Sequence, residues 1–105
     1  MLDNATQDLE EIERKIHEAL ESQLAHTLGQ VKALQRVTHD ISTAESEIRQ
    51  RQAVAAQIEL EIKANPSDEL EGELKTEKKR IERLQRIRAA LIGDLGELAN
   101  AVSTS

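Results

Sequence analysis

Apolar residues recur at intervals of three or four along the first part of the chain. If Arg51 fills the one position that no apolar residue takes, the mean interval is about 3.5, which is the heptad repeat of a coiled-coil helix. The pattern predicts one amphipathic helix over about residues 4–64. Its apolar positions are Leu2, Ala5, Leu9, Ile12, Ile16, Leu20, Leu24, Leu28, Val31, Leu34, Val37, Ile41, Ala44, Ile48, Ala55, Ile58 and Ile62.

A second heptad pattern, in which intervals of four and three alternate, predicts another helix over about residues 68–102. Two of its positions are charged rather than apolar, namely Glu77 and Arg88. We use the word seam for the line of heptad positions along each helix. The second seam consists of Leu70, Leu74, Glu77, Ile81, Leu84, Arg88, Leu91, Leu95, Leu98 and Val102.

The only proline of the chain, Pro66, separates the two patterns. Proline lacks a backbone N–H, and its ring disfavours helical geometry at the preceding residue, so the first helix should end near Ala64. Asn65 suits the N-cap position of a new helix, and Asp68 would place a carboxylate in its first turn. The sequence therefore predicts a turn at residues 65–67.

Composition indicates an all-α protein with a thin core. Phe, Trp, Tyr and Cys are absent from the 105 residues, and 32% of the residues are charged. Ala, Glu, Lys, Leu, Arg and Gln dominate, which is typical of coiled coils. We expect a single coiled-coil domain over residues 1–105. No apolar run approaches the ~18 residues of a membrane span. The acidic start lacks the pattern of a secretory signal, so we expect a cytoplasmic protein, with the nucleus as the alternative.

Two architectures can bury these seams: a parallel homodimer kinked at Pro66, and a long antiparallel helical hairpin. In the parallel dimer Arg51, Glu77 and Arg88 would each face their own copy, and like charges in a seam are costly. In the hairpin, residue i lies opposite about residue 132 − i. Glu77 then lies beside an alanine at position 55 and Arg88 beside one at position 44, so the hairpin is favoured.

The hairpin would cover the first helix only from about residue 31 to residue 62. The preceding segment, residues 2–28, is here called the arm, and its apolar stripe would be left without a partner. Apolar residues also lie beside the seams, and an apolar face wider than a seam is typical of bundles of three or four helices. We therefore predict self-association through Leu9, Ile12, Ile16, Leu20, Leu24 and Leu28. The residues beside the seams are Ala53, Val54, Ala56, Leu60, Ile87, Ala90, Ile92, Ala99 and Ala101.

Charge is distributed unevenly along a chain whose net charge is −6. Residues 1–30 carry seven acids and two bases, and residues 75–88, here called the basic band, carry seven bases and two acids. Complementary segments of this kind orient docking partners. An antiparallel homodimer, with residue i level with about 63 − i, would place residues 6–19 against the band. A parallel dimer of hairpins is the alternative. The interaction residues predicted in the band are Lys78, Lys79, Arg80, Arg83 and Arg86.

Signatures of catalysis or of ligand binding are missing from the sequence. His17, His26 and His39 do not have the spacing that places two metal ligands on one helix face, and no phosphate-binding loop or Ser/His/Asp pattern occurs. Carboxylates on exposed helix faces lack the burial that tunes a catalytic acid. We expect no enzyme activity, no cofactor, no metal and no small-molecule substrate.

Three function classes remain. The main prediction is a structural or scaffold coiled-coil protein that associates with another copy or with a similar coiled-coil subunit in a larger assembly. The alternative is a nucleic-acid-binding accessory protein that uses the basic band, but the acidic net charge and the missing aromatics disfavour it. Peripheral membrane binding ranks last, because the band has no Trp or Phe anchor. The sequence resembles no family specifically.

Overall fold

A computed structural model describes the backbone of residues 2–104 and the side chains of residues 7–104. Helix α1 spans Leu2–Ala64, and helix α2 spans Asp68–Thr104. No strand occurs in the part of the chain that is described. The chain divides into two units, Met1–Ala33 and Leu34–Ser105, which are described separately. The predicted seam positions Leu2 and Ala5 have side chains outside the described residues.

The turn between the helices differs in detail from its prediction. The N–H of Asn65 donates to the carbonyl of Glu61 at 2.9 Å, so Asn65 continues the hydrogen-bonding pattern of α1. The N-cap of α2 is instead Ser67, whose carbonyl accepts from the N–H of Glu71 at 3.0 Å. Its hydroxyl accepts a longer bond, 3.5 Å, from the N–H of Leu70. The cap prediction was wrong because serine caps a helix as well as asparagine does and stands nearer to the helical run.

In the unit Leu34–Ser105, helix α2 folds back along the last part of α1, which confirms the antiparallel hairpin. Every residue of the second seam is at least partly covered. The same holds for the first seam from Leu34 to Ile62. The most deeply buried apolar residues are Ala44, Ile48, Ala55 and Ile58. The core is therefore a narrow line between two helices, as the absence of aromatic residues predicts.

Three ion pairs cross the hairpin and report its register. They join Arg88 to Glu45 at 3.0 Å, Arg51 to Glu77 at 3.3 Å and Lys78 to Glu59 at 3.9 Å. Their residue numbers sum to 133, 128 and 137, which bracket the predicted 132. The sequence prediction placed alanines beside Glu77 and Arg88 but missed their charged partners. Those partners are Arg51, one turn away along α1, and Glu45, which lies beside the seam.

Candidate interaction surfaces

The apolar stripe of the arm lies exposed on one face of α1. Its side chains are between 54% and 70% exposed, although large apolar residues are normally covered in folded proteins. Intervals of three or four place them in one row along the helix. They are the six arm residues predicted for interaction, namely Leu9, Ile12, Ile16, Leu20, Leu24 and Leu28. A continuous row of this size differs from the single scattered apolar residues that are normal on a protein surface.

The acidic side chains of the arm fall into two groups. Glu11 lies 3.6 Å from Lys15 and 3.9 Å from Arg14, and Glu21 lies 2.9 Å from His17. These contacts between residues three or four apart give a helix modest local support. The other group has no ion-pair partner among the described side chains. It consists of Asp8, Glu10, Glu13 and Glu18, and these carboxylates are available for another molecule.

The basic band is divided in the same way. Arg80 contacts Glu77 at 3.1 Å, and Lys78 and Arg88 make the cross-helix pairs given above. Four exposed cations of the band have no acidic partner among the described residues, namely Lys75, Lys79, Arg83 and Arg86. Of the five predicted band residues, Lys78 pairs across the hairpin and Arg80 pairs within α2, while Lys79, Arg83 and Arg86 are exposed without an acidic partner among the described residues.

Glu77 is the one charged side chain buried in the described part of the seam, at 7% exposure. Its Oε1 accepts from Arg51 at 3.3 Å and from Arg80 at 3.1 Å. Its Oε2 is buried and has no protein partner among the described residues. Both arginines are more exposed than the carboxylate, so they cover it from the surface. The cluster joins α1 to α2 through Arg51 and lies beside an open groove that Glu77 and Arg80 line with Thr76.

A second exposed face runs along the last part of α2. Two of its residues, Ile92 and Ala99, were placed beside the seam from the sequence, but the face itself was not identified. Its residues recur at intervals of four and three and are small or uncharged. We call it the lateral face, and it consists of Gln85, Ala89, Ile92, Gly96 and Ala99. Gln85 lines two shallow grooves, one with Glu45 and Arg49 and the other with Arg86 and Ala89. A Cβ added at Gly96 would meet nothing within 4 Å, so the face is open.

The grooves of the hairpin are open and shallow. Within the described residues, no cluster of His, Cys, Asp and Glu side chains could hold a metal ion. None of the described helical stretches is both long and apolar enough to cross a membrane.

Similarity to known proteins offers no further guide to these surfaces. The sequence matches no protein-family model, no curated protein and no solved structure.

Proposed function

We propose that this chain is a non-enzymatic structural coiled-coil protein whose role is helix-mediated association within a larger assembly. The observation that supports the proposal is the exposed apolar stripe of the arm. Contact between water and these six large apolar side chains is unfavourable. Burying one of them, now about half exposed, would contribute roughly 1 kcal/mol to the free energy of association. The partner helix that covers the stripe comes from another copy of the chain or from a similar coiled-coil subunit.

The stability of the arm helix also favours a partner that covers the stripe. Isolated helices are marginal in water, and most helical stability in proteins comes from packing of the apolar face. The arm gains only local support from its ion pairs, which are all exposed. Association would therefore stabilise the arm helix and bury its stripe in one step.

Site-specific photocrosslinking in the cells that make the protein tests this proposal. A photoreactive side chain replaces Leu24, on the stripe, or Ser22, which lies on the opposite face of the same helix. We expect protein crosslinks from position 24 and few from position 22. Equal crosslinking from the two faces, or none from either, would contradict association through the stripe. Far-UV circular dichroism of both purified variants controls for loss of helix.

A second candidate function is nucleic-acid binding through the basic band. The four unpaired cations, Lys75, Lys79, Arg83 and Arg86, are the observation that favours it. If all four neutralise phosphates of duplex DNA, log K should fall against log salt with a slope of about −3.6. A titration of labelled duplex and single-stranded DNA at several salt concentrations measures this slope. Binding that is absent at low salt would remove the candidate.

A further inference from the structure

We propose that the partner is a second copy of this chain, and that its arm docks against the lateral face and the basic band. In this arrangement the arm runs parallel to α2 of the second copy and antiparallel to α1 of that copy. The inference rests on the proposed function and deepens it, because it names the occupant and its register. Two copies exchange arms reciprocally, which gives a closed two-fold dimer.

The unpaired charges are the first observation that supports this register. If arm residue i lies level with residue i + 69 of the other copy, the four free acids reach positions 77, 79, 82 and 87. The four free cations occupy positions 75, 79, 83 and 86. Each free carboxylate is then level, to within two residues along the helix axis, with a free cation. Glu18 lies one turn before Ser22, on the face opposite the stripe. The docking contacts therefore fall to Asp8, Glu10 and Glu13. Exposed ion pairs are worth about 1 kcal/mol or less each, so they would set orientation more than affinity.

The apolar faces agree with the same register. The offset of 69 places Leu20, Leu24 and Leu28 level with positions 89, 93 and 97 of the other copy. This stretch of α2 contains the small residues of the lateral face, from Ala89 to Ala99, although the residue directly level with Leu28 is Glu97. Large side chains against small ones allow two helices to interdigitate closely. The offset of 69 follows from the pairing of residues i and 132 − i in the hairpin and of residues i and 63 − i in the antiparallel dimer, so neither charge nor side-chain size was used to set it.

Surface area supports a stable partner. The chain exposes 8489 Å² of accessible surface. A folded monomer of 11.7 kDa exposes roughly 5,900 Å², according to the scaling of surface with mass. The excess is about 2,600 Å² per chain, which is at the upper end of the ~1,000–2,500 Å² that each partner buries in an obligate homodimer. A second copy can therefore cover the surface that this chain leaves exposed.

Reversing the charges on each side separately tests the arrangement. One full-length variant carries Asp8→Lys, Glu10→Lys and Glu13→Lys, and the other carries Lys79→Glu, Arg83→Glu and Arg86→Glu. In a dimer of one variant alone, like charges would face each other at both contacts between an arm and a basic band. We therefore expect the dimerisation of each variant to weaken by about tenfold or more at low salt. Mixed in equal amounts, the two variants should recover a one-to-one dimer. Analytical ultracentrifugation and native mass spectrometry measure both results.

A matched control reverses Glu69 and Glu73 to lysine, since these exposed acids of α2 precede the basic band and lie level with the arm before its first free acid, Asp8. Dimerisation of this control should stay within about twofold of the original chain. Failure of the mixture to recover a dimer would overturn the proposal. Dimerisation of the band variant at the original strength would also overturn it, because a parallel dimer with paired arms does not use the band. Circular dichroism confirms that each variant remains helical.

Two further outcomes separate this inference from the proposed function. If the purified chain stays monomeric while photocrosslinks still form at Leu24, the partner is a different protein and only the inference fails. If the chain dimerises but crosslinks from Leu24 and Ser22 are equal, the proposed role of the stripe fails. Disulfide formation between copies at Gln7→Cys would indicate parallel arms, which the proposed register keeps apart.

Discussion

The hairpin and the arm carry similar apolar residues at similar intervals, but only the hairpin covers them. Ile48, in the hairpin seam, is 8% exposed, whereas Ile16, in the arm, is 54% exposed. The residue type and the helix are the same at both positions, so neither explains the difference. The difference is the partner helix, since α2 lies opposite Ile48 in the hairpin. A heptad pattern therefore identifies a face that is suited to burial but does not identify what covers it.

The comparison also separates two sources of helix stability. In the hairpin, packing between α1 and α2 adds to intrinsic helix propensity. The arm has propensity and exposed local ion pairs, each worth only a few tenths of a kcal/mol. The helix of the arm should therefore respond to association, whereas the hairpin should respond mainly to changes within its own seam.

The largest effect should come from truncating a seam residue of the hairpin. We expect Ile48→Ala to lower the free energy of unfolding by about 2–5 kcal/mol, because it removes a buried side chain from a narrow core. Glu47→Ala, at the neighbouring exposed position, is the control and should change little. Ile16→Ala should leave unfolding of the dilute hairpin unchanged and weaken association instead. Urea denaturation at several protein concentrations distinguishes these cases, and equal losses at positions 47 and 48 would contradict the seam.

Amide hydrogen exchange should show the next largest contrast. At concentrations below the dissociation constant, amides of residues 9–28 should exchange about 100-fold faster than those around Ile48, because the arm lacks tertiary packing. Raising the concentration should slow exchange in the arm and leave the hairpin amides unchanged. Exchange in the arm that is slow at every concentration would show that it needs no partner. Mass spectrometry of peptic fragments resolves the two regions.

The hairpin could be predicted from the sequence because heptad spacing identifies the faces of the helices that pack together, and the single proline identifies where the chain turns. Each position from Leu70 to Val102 in the predicted second seam is at least partly covered. The partners of the seam charges escaped prediction, because arginine is long enough to reach one turn away. Arg51 thus reaches Glu77 rather than a residue directly opposite. The lateral face was only partly predicted, through Ile92 and Ala99, because its other residues are small or polar and carry little hydrophobic signal.

Glycine replacement should give a smaller effect that again differs between the two regions. Gly29 and Gly93 lie inside helices, and a Cβ added to either would meet nothing within 4 Å. Gly93→Ala should stabilise the hairpin by up to about 1 kcal/mol, because alanine has the higher helix propensity. Gly29→Ala should raise the helix content of the dilute chain without moving the hairpin's unfolding midpoint. Circular dichroism measures both quantities, and destabilisation by Gly93→Ala would indicate a close contact at that position.

Replacing the buried carboxylate should change stability least. We expect Glu77→Leu to shift the free energy of unfolding by less than about 1 kcal/mol in either direction, although it removes two ion pairs. Burying a charge costs as much as its pairing returns, and leucine fills a similar volume. Arg51 and Arg80 are partly exposed, so both remain hydrated after the change. A loss well above this range would show that the ion pairs, rather than apolar packing, hold the middle of the seam.

The role that remains for Glu77 is alignment of the two helices. A slip of one heptad could move Glu77 level with Ile62, away from Arg51, and leave its charge buried without a partner. Leucine at position 77 removes that penalty. Spin labels at Gln57 and Lys75 should lie near the interhelical distance of about 10 Å in the original chain. In the Glu77→Leu variant we expect a second population, displaced along the helix axis by about 10 Å. A distance distribution that stays single and narrow would mean that apolar packing alone sets the register.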